Sequence, residues 1–332
     1  MMMLKEIFSY YGFHILFVFL PYDGVEFDIR LFMHEDLPDF LKKLYPFRRD
    51  YVRLHDGSNM HYIDDGPGES VLFLHGHPTW SFFFRKLILL MRSDFRCVAP
   101  DNIGYGLSDK PWKYNYDIQQ HIANGIEFAE KMKFKRFHII AQDFGVIIAL
   151  AMAERWPERI GSMAFLNSYA FVLPRLPVSM MIFKMPVIGP IISVMFNLFV
   201  RVNLHFGTLG VMDDAVVQGY LFPFKKLSSR ASIPSGISDI PWLVNHPSLP
   251  IIDQIAEKAF ILNNKKIKFF WADDDFIYSG DTLQKWANVL PNAQYKVYQT
   301  AGHYLLDESD EAVSDIRTFV YCARNIQKEL FK

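Results

Sequence analysis

The sequence predicts a mostly parallel α/β sheet of eight strands, with helices on both faces and a helical cap inserted after the sixth strand. Three observations carry that expectation. Short apolar runs alternate with stretches of helical periodicity through most of the chain, as they do where strands are joined by crossover helices. At Phe137-His-Ile-Ile-Ala-Gln-Asp-Phe-Gly-Val-Ile-Ile-Ala-Leu150 an apolar strand turns sharply on small residues and leaves as a helix. From Ser168 the alternation stops, and Val178 to Phe206 (VSMMIFKMPVIGPIISVMFNLFVRVNLHF) is almost continuously apolar. Lys184, Pro186 and Pro190 argue against a membrane span there, so a helical cap over an apolar pocket fits better.

Taken in order, Tyr51-Val-Arg-Leu-His55 and Met60-His-Tyr-Ile-Asp64 read as two strands joined by the turn Asp56-Gly-Ser-Asn59. Val71-Leu-Phe-Leu-His75 and Arg96-Cys-Val-Ala-Pro100 are buried strands, with a crossover helix from Trp80 to Met91 between them. Asp101-Asn-Ile-Gly-Tyr-Gly-Leu-Ser-Asp109 is a Gly-rich loop at the carboxyl end of the fourth strand. Ile118 to Met132 is an amphipathic helix, followed by the strand–turn–helix above and a sixth strand over Ile160 to Leu166. After the apolar insertion come a strand at Ile267–Trp271, a helix over Thr282–Val289, a strand at Gln294–Tyr298 and a closing helix over Glu308–Ile326. The expected organisation is an apolar extension over 1–37, a core in two parts over 38–170 and 246–332, and the cap over 171–245.

Composition excludes several classes of function. Hydrophobic residues make up 51% of the 332 and aromatics 16%, and the formal net charge is −1, which gives no purchase for nucleic acid. Cys97 and Cys322 form no motif and are expected as reduced core thiols. No metal or cofactor is expected, because Gly104-Tyr-Gly106 lacks the strand–helix setting of a dinucleotide loop. Ile7 to Leu20 is apolar but short for a transmembrane helix. A membrane-surface anchor and an apolar extension both stay open there, with the extension preferred. The expected location is cytoplasmic, with membrane association as the alternative.

The turn Ala141-Gln142-Asp143-Phe144-Gly145 sets small residues two positions either side of Asp143. That spacing lets the apex side chain stand clear, facing backbone N–H groups and a helix N-terminus. A carboxylate there is either a helix cap or a nucleophile. Downstream, Ala272-Asp-Asp-Asp-Phe276 offers an acid at one strand end and Thr300-Ala-Gly-His-Tyr304 offers a base at the next. A lone Gly-His turn is ordinarily a surface histidine. Nucleophile, acid and histidine in that chain order, however, are the order of α/β-hydrolases, which makes His303 the base.

Four pieces carry a more specific likeness: His75-Gly-His-Pro-Thr-Trp80, Asp101-Asn-Ile-Gly-Tyr-Gly-Leu-Ser-Asp-Lys-Pro111, Gln142-Asp-Phe-Gly145 and Ala301-Gly-His-Tyr304. From about Tyr45 to Phe319 the chain resembles the haloalkane dehalogenase branch of the α/β-hydrolases. The family's strand-Gly-x-x-Asp pattern implies Asp275 as the acid, with Ala272 in place of Gly and Asp273 and Asp274 as solvated charges or helix caps. One subgroup takes its acid from the sixth strand, where this chain has Asn167, which cannot serve. Leu166-Asn-Ser-Tyr-Ala-Phe-Val-Leu-Pro174, Ile240-Pro241 and Asp275-Phe276 are also similar to the β-lactone decarboxylase of bacterial long-chain olefin biosynthesis. That likeness implies an Asp–His–Asp site, a substrate with long alkyl chains, no cofactor, and other olefin-pathway enzymes as partners.

Two residues depart from the dehalogenase pattern. The family typically follows its nucleophile with Trp, a halide donor, where this chain has Phe144; the partner donor is usually Asn, where this chain has His77. Halide stabilisation would then rest on backbone N–H groups and a protonated His77. The same two N–H groups, of His77 and Phe144, can form an oxyanion hole whatever their side chains. The expectation is an enzyme that forms a covalent alkyl ester on Asp143 from a lipophilic small molecule, as a haloalkane-dehalogenase-like hydrolase. The alternatives are a β-lactone decarboxylase, an epoxide hydrolase (though Tyr220 and Tyr169 make a poor tyrosine pair) and a non-catalytic lipid-binding protein.

Overall fold

The computed structural model describes residues 36–330, apart from 174–175 and 243–244. Eight strands run in chain order: β1 (Asp50–Arg53), β2 (Asn59–Asp65), β3 (Ser70–Leu74), β4 (Arg96–Pro100), β5 (Phe137–Gln142), β6 (Ile160–Leu166), β7 (Lys266–Ala272) and β8 (Gln294–Tyr298). They form one sheet in the order β1-β2-β4-β3-β5-β6-β7-β8. The β1–β2 and β2–β4 pairings are antiparallel and every other pairing is parallel.

Every residue of β3, β5 and β6 is buried, so these strands are covered on both faces. The apolar continuity of the sequence there is the signature of that double burial. One helical layer contains Arg85–Met91 and Asp310–Leu330, which pack on each other. A second contains Ile118–Lys131, Gly145–Arg155 and Leu249–Lys258. The chain steps from β3 outward to β4, then returns to place β5 on the other side of β3. A crevice opens at the carboxyl ends of the strands where the order reverses.

Local details differ from the sequence expectation. The crossover helix starts late: Trp80 is extended, Ser81–Phe84 form a 3-10 turn, and the α-helix begins at Arg85. Tertiary contacts hold that turn. The Ser81 N–H donates to Asp101 Oδ1 at 2.8 Å, and the Trp80 indole donates to the Gly219 carbonyl at 3.3 Å. The closing helix is interrupted at Ser309, whose hydroxyl accepts the Ala312 N–H and restarts it. Leu37, expected in an extension, is 5% exposed and belongs to the core; residues 1–35 lie outside the described ones. Cys97 is buried in β4, but Cys322 is exposed on the last helix, so only one of the two is a core thiol. Helical periodicity there turns position 322 outward.

Between β6 and β7 the chain forms short helices, among them Val178–Met181, Ile188–Phe196, Leu198–Phe206, Asp214–Leu221 and Ser232–Ser238. The Leu173 N–H donates to the Pro241 carbonyl at 2.9 Å and ties the two ends of the insertion together. Part of its apolar surface faces outward rather than into a pocket. Val178, Phe196, Phe206 and Leu209 are all more than half exposed. A single layer of short helices that are apolar on all sides can bury only its inner face. Among the described residues no single helix is long and apolar enough to cross a membrane; the pair Val178–Lys184 and Ile188–Phe196 is bent by 99°.

Candidate active site

The β5 turn positions Asp143 as its spacing requires. Asp143 has φ +55°, and its N–H donates to the Asn167 carbonyl at 3.0 Å. Gly145 starts the helix directly against β3, where a Cβ would come within 2.4 Å of the Leu74 carbonyl oxygen. A Cβ on Gly76 would stand 2.2 Å from that of Asp143. Both glycines therefore let the β3 and β5 ends close around the carboxylate.

Asp143 Oδ1 accepts the backbone N–H groups of His77, at 3.3 Å, and of Phe144. Oδ2 accepts the Tyr278 hydroxyl at 2.7 Å and lies 3.7 Å from His303 Nε2. Burial pushes the Asp143 pKa up, opposed by His303, the Tyr278 hydroxyl and the two N–H groups. His303 Nδ1 is 2.7 Å from Asp275 Oδ2, whose other oxygen accepts the N–H groups of Ile277 and Tyr278 at 2.8 and 3.1 Å. Burial lowers the His303 pKa, but the carboxylates of Asp275 and Asp143 outweigh it and hold the ring above its ordinary value.

Asp143, His303 and Asp275 thus form one hydrogen-bonding neighbourhood, while Asp273 and Asp274 are exposed beside it. Asn167 serves as backbone glue: it donates to the Ala272 carbonyl at 2.9 Å and accepts the Ala272 N–H at 2.7 Å. Tyr220 is turned away, its hydroxyl donating to Asp307 at 2.5 Å, and Tyr169 stacks on Tyr278. A protonated His77 does not fit this site. Its ring is buried, and burial with His121 and His75 nearby lowers its pKa to about 3.

Three contributors escaped the sequence reading. Gln142 donates its amide N–H to His303 Nε2 at 2.8 Å while its oxygen accepts the Gly76 N–H at 3.2 Å, an arrangement that favours the neutral ring. Tyr278 sits three residues beyond Asp275, a spacing that carries no recognised signal. His121 lies in a helix that reads only as amphipathic, yet it lines the cavity beside Asp143.

That cavity is walled by Tyr105, Phe144, Tyr169, Met180, Phe199 and Ile240 among others, and its free volume is about 20 Å³. That is room for about one water molecule. The insertion closes it: Ser232 Oγ donates to the Gly104 carbonyl at 2.7 Å, and Asp239 accepts the Ile118 N–H. Lys184 Nζ donates to the Ile240 carbonyl at 2.5 Å. Among the described residues, no group of three or more His, Cys, Asp or Glu could hold a metal ion.

The family model described as the alpha/beta hydrolase fold matches residues 69–209. The chain is 31% identical over 288 residues to the cis-3-alkyl-4-alkyloxetan-2-one decarboxylase of Shewanella oneidensis, a match covering 84% of this chain and 90% of that protein. Haloalkane dehalogenase 2 of Mycobacterium bovis is 26% identical over 277 residues, covering 82% of this chain and 94% of its own. Among solved structures, the haloalkane dehalogenase DbeA from Bradyrhizobium elkani superposes with a TM-score of 0.76 at 22% identity, over 84% of this chain and 99% of that one, a likeness of fold. The chain belongs to the α/β-hydrolase fold family, in the branch that includes haloalkane dehalogenases and the alkyl-oxetanone decarboxylase.

Proposed function

We propose that Asp143 attacks a saturated carbon of a long-chain β-lactone, displaces the ring carboxyl oxygen, and forms an alkyl ester that His303 then helps to hydrolyse. The observation that carries this reading is the Asp143 carboxylate itself, with Oδ1 under two backbone N–H groups and Oδ2 beside a histidine backed by Asp275. In the first step a bond forms from Oδ2 to carbon as the ring C–O bond breaks, and its electron pair leaves on a tethered carboxylate. In the second, His303 Nε2 takes a proton from water, and the water oxygen adds to the Asp143 carboxyl carbon. Negative charge collects on Oδ1 beneath the His77 and Phe144 N–H groups. Collapse breaks the ester C–O bond and returns the proton to the departing oxygen, giving a 3-hydroxy acid.

A lactone is preferred to a haloalkane because Phe144 carries no side-chain donor beside the nucleophile. The 31% relative, whose name is that of an alkyl-oxetanone decarboxylase, supports the same choice. A second reading has its own support. Tyr278 donates to Oδ2, the oxygen that must leave, and the closed cavity has room for only about one water molecule. Both favour loss of carbon dioxide: the C–C bond to the carboxylate supplies the electron pair of a C=C bond as Asp143 is expelled. An epoxide substrate is not favoured, since Tyr278 lies on the nucleophile and Tyr220 is engaged by Asp307.

The test is a single turnover of a cis-dialkyl β-lactone in water enriched in oxygen-18. Hydrolysis through the ester places label in the Asp143 peptide and yields the hydroxy acid, whereas the second reading yields alkene and no label. Label in the product alone, with none in Asp143, overturns the nucleophile assignment. Halide release from haloalkanes with no consumption of lactone overturns the substrate.

A further inference from the structure

Among the described residues, five buried histidines lie outside the Asp143–His303–Asp275 group: His61, His75, His77, His121 and His138. His61 contacts Asp101, and His138 contacts Ser162 through Nδ1. His75 uses both nitrogens, Nδ1 with the Gly76 carbonyl at 2.8 Å and Nε2 with the Asn102 N–H at 2.9 Å. The fold thus gives a structural imidazole a partner. His77 and His121 are the exceptions: all four of their ring nitrogens are buried without a hydrogen-bond partner. The Tyr116 backbone lies near enough to His121 to influence its charge, but neither nitrogen completes a bond.

Both rings line the cavity that holds Asp143. His77 stacks on Phe199 at 5.0 Å and meets Tyr105 edge-on at 5.4 Å. His121 packs edge-on against Phe144 at 5.4 Å. The two imidazoles therefore flank the rings of Phe144 and Tyr105, which carry no N–H. A Cβ on Gly236 would fall 2.6 Å from His77 Nδ1, so the helix Ser232–Ser238 covers this ring while the insertion is closed.

Unpaired buried polar atoms are rare in folded proteins, and four on two rings that line one cavity point to a ligand. Charge narrows its chemistry. Burial keeps both rings neutral, with pKa values lowered to about 3, so neither is a cationic site for a free anion. A neutral imidazole offers one N–H and one lone pair, and with neither nitrogen committed the ring is free to turn its donor inward.

We propose that His77 and His121 form an uncharged subsite that receives the carboxyl group of a lactone, one N–H to each of its two oxygens. The inference rests on the lactone reading above and extends it, for it adds His121 and states what the leaving group must be. As the ring C–O bond breaks, the two N–H groups meet charge spreading over both carboxylate oxygens.

The experiment separates binding from chemistry. Asp143→Asn holds the nucleophile silent, and binding is measured by calorimetry for γ-dodecalactone and for dodecane presented in the same detergent. The expected result is that His77→Phe and His121→Phe each weaken lactone binding about tenfold and leave dodecane binding unchanged. Both changes should also raise the melting temperature, because an unpaired buried polar ring is replaced by an apolar one. His121→Gln, which keeps a donor, should recover part of the affinity and guards against a misfolded Phe variant. Equal losses for lactone and dodecane, or a lowered melting temperature with unchanged lactone affinity, overturn the subsite. If lactone affinity falls as expected but labelled-water turnover places nothing on Asp143, the subsite stands and the nucleophile reading fails.

Discussion

Replacing Asp275 by Asn removes one charge from the Asp143–His303–Asp275 group and reverses one hydrogen bond. The new amide must keep its oxygen beneath the Ile277 and Tyr278 N–H groups, which Asp275 Oδ1 now accepts at 2.8 and 3.1 Å. Its NH2 then faces His303 Nδ1 across the present 2.7 Å, so Nδ1 must accept and the ring proton moves to Nε2. There it meets the Gln142 amide N–H at 2.8 Å. Gln142 cannot turn over without surrendering the Gly76 N–H on its oxygen. In that tautomer the Nε2–H and the Gln142 N–H oppose each other, and Nε2 has no lone pair with which to take a proton, so the base is lost. Losing the orienting acid costs about 10⁴ in turnover, or ~5.5 kcal/mol, in hydrolases of this kind. Formation of the ester needs no base, so adduct should accumulate while its breakdown stalls; intact-mass kinetics and a pH–rate profile measure the two steps. Breakdown requires neutral His303, whose pKa the carboxylates raise, so the wild-type rate should climb with pH through a limb above ordinary imidazole values. That limb should move to lower pH in Asp275→Asn. Near-normal breakdown in a folded Asp275→Asn protein refutes the water-activation argument and leaves elimination. Damage from Asp274→Asn instead would refute the assignment of the acid.

Tyr278→Phe removes the hydroxyl from Asp143 Oδ2 and should lower turnover ten- to a hundredfold, the range for one hydrogen bond to a charged group. Because that bond lowers the Asp143 pKa, its loss should shift the acid limb of kcat/KM to higher pH. Asp307→Asn strips the ion pair from Arg85, a buried guanidinium that Asp307 shares with Tyr220 of the insertion. The expected cost is about 3 kcal/mol, read as a lower urea midpoint at unchanged slope. The double change Phe144→Trp with His77→Asn should raise halide release from bromoalkanes at least tenfold by supplying two convergent donors. A cavity of about 20 Å³ beside Phe144 leaves little room for the larger ring, so a lower melting temperature should accompany it. Brisk halide release by the wild type would contradict the preference for lactones.

The sequence by itself determined the sheet, because strands buried on both faces, as β6 is, must be apolar throughout; β4, β6 and β8 span the residues expected of them. It also placed Asp143, since a strand that reverses into a helix against its neighbour tolerates only small residues at 141 and 145. The order of Asp143, an acid and His303 was legible as strand-end loops, and likeness to a family pointed among three adjacent aspartates to Asp275. What the sequence could not express is which groups converge from distant segments. The Tyr278 hydroxyl reaches Asp143 across 135 residues and the Gln142 amide reaches His303 across 161, neither with a local pattern to announce it. His121 reads as one polar position on an amphipathic helix, and only its packing among Tyr105, Tyr116 and Phe144 reveals that its ring nitrogens meet no partner. The charge of His77 was likewise decided in three dimensions. Periodicity specifies which face of an element is buried, but desolvation and the neighbours across the cavity decide whether a buried imidazole carries a proton.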